Sequence, residues 1–128
     1  MANLPEDFSY SEDHEWINTT GDVNGKTVRV GITSVAAERL GEVVFAELPE
    51  VGDSVTHSET CGEVESTKSV SDLYSPVSGT VTAVNDAVHD DYAQINDDPF
   101  GAGWLFEVEV SEAGPLLSAA EYAEKNGV

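Results

Sequence analysis

The chain is 128 residues long and 40% hydrophobic, with 25 acidic against 5 basic side chains and a formal net charge of -20. That length suits a single domain, expected over residues 1-128, with a core that needs no staples, and no apolar run approaches the roughly 20 residues of a membrane span. The charge makes nucleic acid and anionic membranes poor partners, since both present phosphates.

The first residues, through Asp7, lack a basic stretch followed by an apolar one, so a soluble cytoplasmic protein is expected. Aromatic and β-branched residues in His14-Glu15-Trp16-Ile17 predict a strand over about 14-19. Thr27-Val28-Arg29-Val30-Gly31-Ile32 predicts its return, with Val28, Val30 and Ile32 on one face. Asn24-Gly25 between them is the strongest short hairpin signal, because both residues tolerate the positive φ of a tight turn. Thr33 or Ser34 is placed to cap a short helix through Leu40, and Gly41 to end it in a left-handed conformation. A strand over residues 42-48 leads to a turn at Leu48-Pro49-Glu50-Val51-Gly52-Asp53, after which Ser54 to Thr56 resumes the extended pattern.

From there to about residue 85 the pattern is one of short strands separated by turns at Thr67-Lys68, Ser75-Pro76 and Ser78-Gly79. Val51-Gly52-Asp53-Ser54-Val55 is echoed by Val77-Ser78-Gly79-Thr80-Val81, as a two-fold arrangement of strands around a central hairpin requires. Asn85 to Asp98 carries five aspartates without a period and predicts a loop with a turn of helix. Trp104 to Val110 alternates as the last core strand. Ser118-Ala119-Ala120-Glu121 has capping-box spacing and predicts a helix over about 118-126, whose modest apolar face must dock on the sheet. The sum is a mainly β fold with short helices, a small antiparallel sandwich or barrel.

Within the stretch from Gly62 to Pro76, Lys68 is one of three lysines in the chain. Short polar residues and two strand-like arms flank it, which suits a lysine on display as well as an ordinary turn lysine. Glu63 and Glu65 read as solvated strand positions in so acidic a chain. Cys61 has no partner for an internal disulfide and reads as a small core residue in a reducing compartment. Self-repulsion of this size is screened to about 3 Å in 1 M salt, so a salt-rich cytoplasm is expected.

The usual catalytic constellations do not form. His14, His57 and His89 lie far apart, and His14-Glu15-Trp16-Ile17-Asn18 has Asn where a zinc-protease motif needs its second histidine. Asp22-Val23-Asn24-Gly25 is too short for a calcium loop. Neither a glycine-rich phosphate cradle nor a nucleophile elbow is present, so independent catalysis is not indicated.

Several blocks, taken in order, carry a resemblance: Ser11-Glu12-Asp13-His14-Glu15-Trp16, Leu40-Gly41-Glu42-Val43-Val44-Phe45, Glu47-Leu48-Pro49-Glu50-Val51-Gly52, Glu65-Ser66-Thr67-Lys68, Ser75-Pro76-Val77-Ser78-Gly79, and Asn96 through Trp104. Together they closely resemble the H protein of the glycine cleavage system. The resemblance implies a barrel-sandwich hybrid fold with lipoate attached through an amide to Lys68, at a hairpin formed by Glu65, Ser66, Thr67, Lys68 and Ser69. It points to Glu15 and Asp72 as polar residues of a cleft that receives the loaded arm. It also implies a non-catalytic shuttle whose arm takes an aminomethyl group from a glycine decarboxylase to an aminomethyltransferase and is reoxidised by dihydrolipoyl dehydrogenase, after loading by a lipoylating enzyme. The chain departs from the family at Thr67-Lys68-Ser69, commonly Val-Lys-Ala, and near Tyr92-Ala93, where a proline is frequent.

Other carriers fit less well. Biotin acceptors carry Met on both sides of the lysine, and lipoyl domains of 2-oxoacid dehydrogenases lack the block from Asp98 to Trp104 and the terminal helix. A lipoyl-relay protein serving those dehydrogenases, and an acidic binding module with an unmodified lysine, remain as alternatives.

Overall fold

The computed structural model describes residues 4-127, so part of the amino-terminal stretch discussed above lies outside the described residues. Ser9–Tyr10 (β1) pairs with Glu15–Ile17 (β2), which pairs with Thr27–Ile32 (β3). Ser34–Leu40 forms α1, followed by Val43–Glu47 (β4), Ser54–Val55 (β5), Thr60–Ser66 (β6), Val70–Tyr74 (β7) and Val77–Val84 (β8). Asp86–Asp90 (α2) and Ala93–Asp97 (α3) precede Phe106–Ala113 (β9) and Ala119–Asn126 (α4).

Two antiparallel sheets result, ordered β1-β2-β3-β9-β8-β5 and β4-β6-β7. Val28, Val30, Val81 and Val108 of the first meet Val43, Ala46, Val64 and Leu73 of the second in one core. Burying each Val or Leu side chain of this set is worth roughly 1.5-3 kcal/mol, which is what holds the sheets together. A second, aromatic cluster docks α4: Tyr122 stacks on Tyr10 at 5.1 Å, and Leu117 exchanges backbone hydrogen bonds with Tyr10 at 2.7 and 2.9 Å. Ser118 and Glu121 form the expected capping box.

The chemistry of particular residues explains where the elements differ from expectation. The turn closed by Lys26 N–H on the Val23 carbonyl at 2.9 Å has Asn24-Gly25 at its centre, with Gly25 at φ 82. It is one corner of a long connection, since β2 ends at Ile17 and β3 begins at Thr27. Thr33, not Ser34, caps α1, its Oγ1 accepting from Ala36 N at 3.2 Å. Gly41 has φ 82 but ψ -156, so it ends the helix at positive φ outside the left-handed helical well.

Ser78-Gly79 is not a turn. It lies inside β8 at a bulge, and Gly79 is required because a Cβ there would collide with the Glu109 carbonyl. The two echoed segments lie side by side, Ser54 opposite Thr80 and Val55 opposite Gly79. Residues 86-97 hold two five-residue helices rather than one turn, each with a single buried anchor, Val88 or Ile95, too few to make a period. The last strand begins at Phe106: Trp104 N bonds the Gly101 carbonyl, and the Asn85 amide takes the Trp104 carbonyl at 2.7 Å, which removes Trp104 from the ladder. No helix of the described residues is long and apolar enough to cross a membrane.

Candidate functional site

The tip between β6 and β7 contains no glycine, and its shape comes from one side chain. Ser66 is buried, and its Oγ accepts from Lys68 N at 3.3 Å and Ser69 N at 3.1 Å while donating to the Ser69 carbonyl at 3.2 Å. The Ser66 N–H also donates to the Ser69 carbonyl at 2.8 Å. A hydroxyl in this position satisfies the two amides that a tight reversal leaves unpaired. From outside, the Glu42 carbonyl accepts from Thr67 N at 3.1 Å. Thr67, Lys68 and Ser69 are exposed.

The lysine stem lies across Gly41, where a Cβ would stand 3.3 Å from Lys68 Cε. Among the described residues the ion pairs are Arg29 with Glu107 and Lys125 with Glu12; Lys68 is in neither.

Beside the tip opens a cleft of about 300 Å³, lined by Ser69 and Val70 of the hairpin, the apolar Leu40, Val64 and Leu73, and both Glu15 and Asp72. Glu15 is 2% exposed. Its carboxyl oxygen Oε1 accepts from Ser11 Oγ at 2.8 Å, yet burial outweighs that bond and, with Asp13 nearby, pushes its pKa up to about 9. Glu15 is therefore a neutral acid at pH 7. Asp72 is exposed, and its register opposite Glu63 and the contact with Tyr74 Oη at 3.5 Å turn it toward the outer face of the small sheet. Glu65 lies on that face too, between Phe45 and Val70, and is half-buried. Asp72 and Glu15 thus share one cleft but meet different surroundings.

Sequence reasoning missed His14 and Arg39 on the cleft wall. His14 sits at φ 72, a conformation uncommon for a residue with a Cβ, and no glycine announced it. Its Nε2 faces Arg39 Nη1 at 3.3 Å, and arginine can only donate, so Nδ1 carries the proton and donates to Tyr122 Oη at 2.6 Å. Tyr122 Oη in turn meets Thr33 Oγ1 at 2.8 Å. Burial and the Arg39 charge hold His14 below the usual histidine range. Cys61, half-buried against the core rather than inside it, has its thiol pushed up to about 12 by burial and so stays protonated at neutral pH.

The model of the family described as glycine cleavage H-protein matches residues 8-126. A glycine cleavage system H protein of Corynebacterium aurimucosum is 80% identical, covering 100% of this chain and 99% of its own. That of Corynebacterium jeikeium is 61% identical over 98% of this chain and 99% of its own. A crystal structure of a glycine cleavage system H protein from Mycobacterium marinum superposes with a TM-score of 0.94 at 55% identity, covering 98% of this chain and 100% of that one. The barrel-sandwich hybrid expected from the sequence agrees with that likeness, and the chain belongs to the glycine cleavage H-protein family.

Proposed function

We propose that Lys68 is the residue that a lipoylating enzyme acylates, and that the loaded chain carries an aminomethyl group from glycine decarboxylase to the aminomethyltransferase before reoxidation by dihydrolipoyl dehydrogenase. Family membership makes the chain a carrier component of the glycine cleavage system rather than a catalyst. The observation that supports Lys68 is its place: exposed, in no ion pair among the described residues, on a tip braced by Ser66 and beside a cleft of about 300 Å³. Lipoate fits these residues, since an apolar arm with a polar load matches walls of Leu40, Val64 and Leu73 around one buried acid. When bound, that group supplies a dithiol–disulfide couple and a sulfur on which to carry the one-carbon unit.

The chain's own residues position and shelter. Ser66 holds the backbone of the tip, with Glu65, Thr67 and Ser69 completing the hairpin offered to the lipoylating enzyme. Apolar walls exclude water from whatever the arm brings in. Glu15 keeps a proton on its carboxyl, can pass it to a basic amine, and can then accept hydrogen bonds from the ammonium as a carboxylate. Asp72, at the outer edge of the cleft, adds negative charge that favours the same cation.

We further propose that residues 1-128 act as one lipoyl-carrier domain in the cytoplasm, and, from the net charge of -20 alone, that the cytoplasm is salt-rich. Denaturation between about 0.1 M and about 1 M NaCl tests the last point, and full cooperative stability in salt-free buffer would sink it. The decisive experiment is glycine–bicarbonate exchange by the decarboxylase in the presence of this chain with its lipoyl mass confirmed. Exchange that depends on Lys68 is expected. Its absence would overturn the shuttle in favour of a lipoyl relay to 2-oxoacid dehydrogenases.

A further inference from the structure

The block from Asn96 to Trp104 stands out in the sequence, yet none of the chemistry above uses it. Its first residue, on α3, clasps the junction between α1 and β4 at two points. Asn96 Nδ2 donates to the Gly41 carbonyl at 2.7 Å, and Oδ1 accepts from Val43 N at 2.9 Å. The amide orientation is forced, because a carbonyl can only accept and a backbone N–H can only donate. Between the clasped residues, Glu42 offers its carbonyl to Thr67 N at 3.1 Å, and Gly41 lies under the stem of Lys68. Both lateral supports of the tip therefore rest on three residues that Asn96 holds. Further along the block, the Pro99 carbonyl accepts from Trp16 Nε1 at 2.9 Å, next in sequence to Glu15. One block thus ties the base of the tip to the strand that carries the cleft acid.

We propose that Asn96 is a positioning residue for Lys68, acting through Gly41–Val43 to set the direction of the tip relative to the cleft. The proposal rests on the reading of Lys68 as the lipoyl acceptor. Ser66 and Asn96 divide the work: the hydroxyl closes the turn internally and fixes its shape, whereas the amide fixes the platform on which the turn leans. An amide suits the task because it presents the same donor and acceptor as a neighbouring strand; a carboxylate lacks the donor and an apolar chain lacks both. Without the clasp the tip keeps its shape but spends only part of its time pointing correctly. An enzyme that binds the correct orientation then sees its apparent affinity fall by that fraction, while turnover of the bound chain is unchanged.

The test uses the full chain with Asn96→Ala, beside a control, Val55→Ala, which truncates a core residue in β5 on the other sheet. In the unlipoylated chain, amide exchange at Thr67 should accelerate about tenfold or more in Asn96→Ala, as expected for losing hydrogen bonds of ordinary strength. Exchange at Ser69, which Ser66 protects, should stay within about twofold of wild type. With a lipoate–protein ligase, lipoate and ATP, KM for the chain should rise about tenfold at unchanged kcat, and Val55→Ala should show neither effect. If Asn96→Ala fails to fold, Asn96→Asp, which keeps the acceptor for Val43 and loses the donor to Gly41, carries the same comparison. Unchanged exchange at Thr67, equal acceleration at Thr67 and Ser69, or a loss of kcat at constant KM would each overturn the proposal. A wild-type chain that gains no lipoyl mass at Lys68 would defeat the acceptor reading, while exchange at Thr67 would still decide the clasp.

Discussion

Lys26 and Lys68 are both exposed lysines at turns, and neither belongs to an ion pair among the described residues. Their backbones are held in opposite ways. The carbonyl of Lys26 accepts from Val110 N at 2.8 Å, and its neighbour Gly25 donates to the Val110 carbonyl at 2.8 Å, so this lysine continues the pairing of the two central strands of a six-stranded sheet. Lys68 stands on the reversal itself, tied through its N–H only to Ser66, with Gly41 beneath its stem and a cleft beside it. The first turn is made by its own residues, through the positive φ of Gly25 and the Asp22 side chain accepting from Asn24 N at 3.1 Å. The second is made by a buried hydroxyl and an outside carbonyl. Exposure is common to both, so what distinguishes Lys68 is protrusion on a braced tip with a cleft beside it, the features on which its proposed role as acceptor rests.

The largest expected contrast is chemical. Lys68→Arg should abolish the lipoyl mass increment, because a guanidinium keeps the charge but is not acylated, whereas Lys26→Arg should load normally. Intact mass reads both, and loading of Lys68→Arg would remove the basis of the comparison.

Next comes the acid of the cleft. The unfolded chain ionises Glu15 near pH 4.5, while the folded chain keeps its proton to about 9. The favourable contribution of the buried neutral acid is whole below the first value and is lost as pH rises toward the second. Glu15→Gln has no such proton to lose. Its stability relative to wild type should therefore improve by about 4 kcal/mol between pH 5 and pH 8. Urea denaturation of both chains at the two pH values checks this, and a constant difference would contradict it.

Smaller effects separate the two turns. Ser66→Ala leaves Lys68 N and Ser69 N without their acceptor, and should cost about 2 kcal/mol and slow lipoylation. Gly25→Ala, forced to hold φ 82, should cost about 1 kcal/mol and leave lipoylation as it was. Measured by urea melts and loading rates, a reversed pattern would mean that the tip is shaped by something other than Ser66.

How legible each element was in the sequence follows from how local its cause is. Val28, Val30 and Ile32 announced β3 because alternation is a property of neighbouring residues, and Ser118 with Glu121 announced α4 for the same reason. Trp104 looked like strand, and only the distant Asn85 amide takes it out of the ladder. Gly79 looked like a turn because its true reason, the close Glu109 carbonyl, lies on another strand. Glu15 was found through resemblance alone, and its protonation follows from a burial that no spacing reveals.

The amino-acid sequence by itself determined most of the strands along the chain, the caps of α1 and α4 and a hairpin with a lysine at its tip. These depend on φ preferences and on side-chain hydrogen bonds that reach only a few residues. Tertiary structure decided which lysine has a cleft beside it, which carboxyl keeps its proton, and how Asn96 comes to support a tip that it does not touch in sequence. Those depend on desolvation and on contacts between residues as far apart as Gly41 and Asn96, and both exist only once the two sheets have closed on their common core.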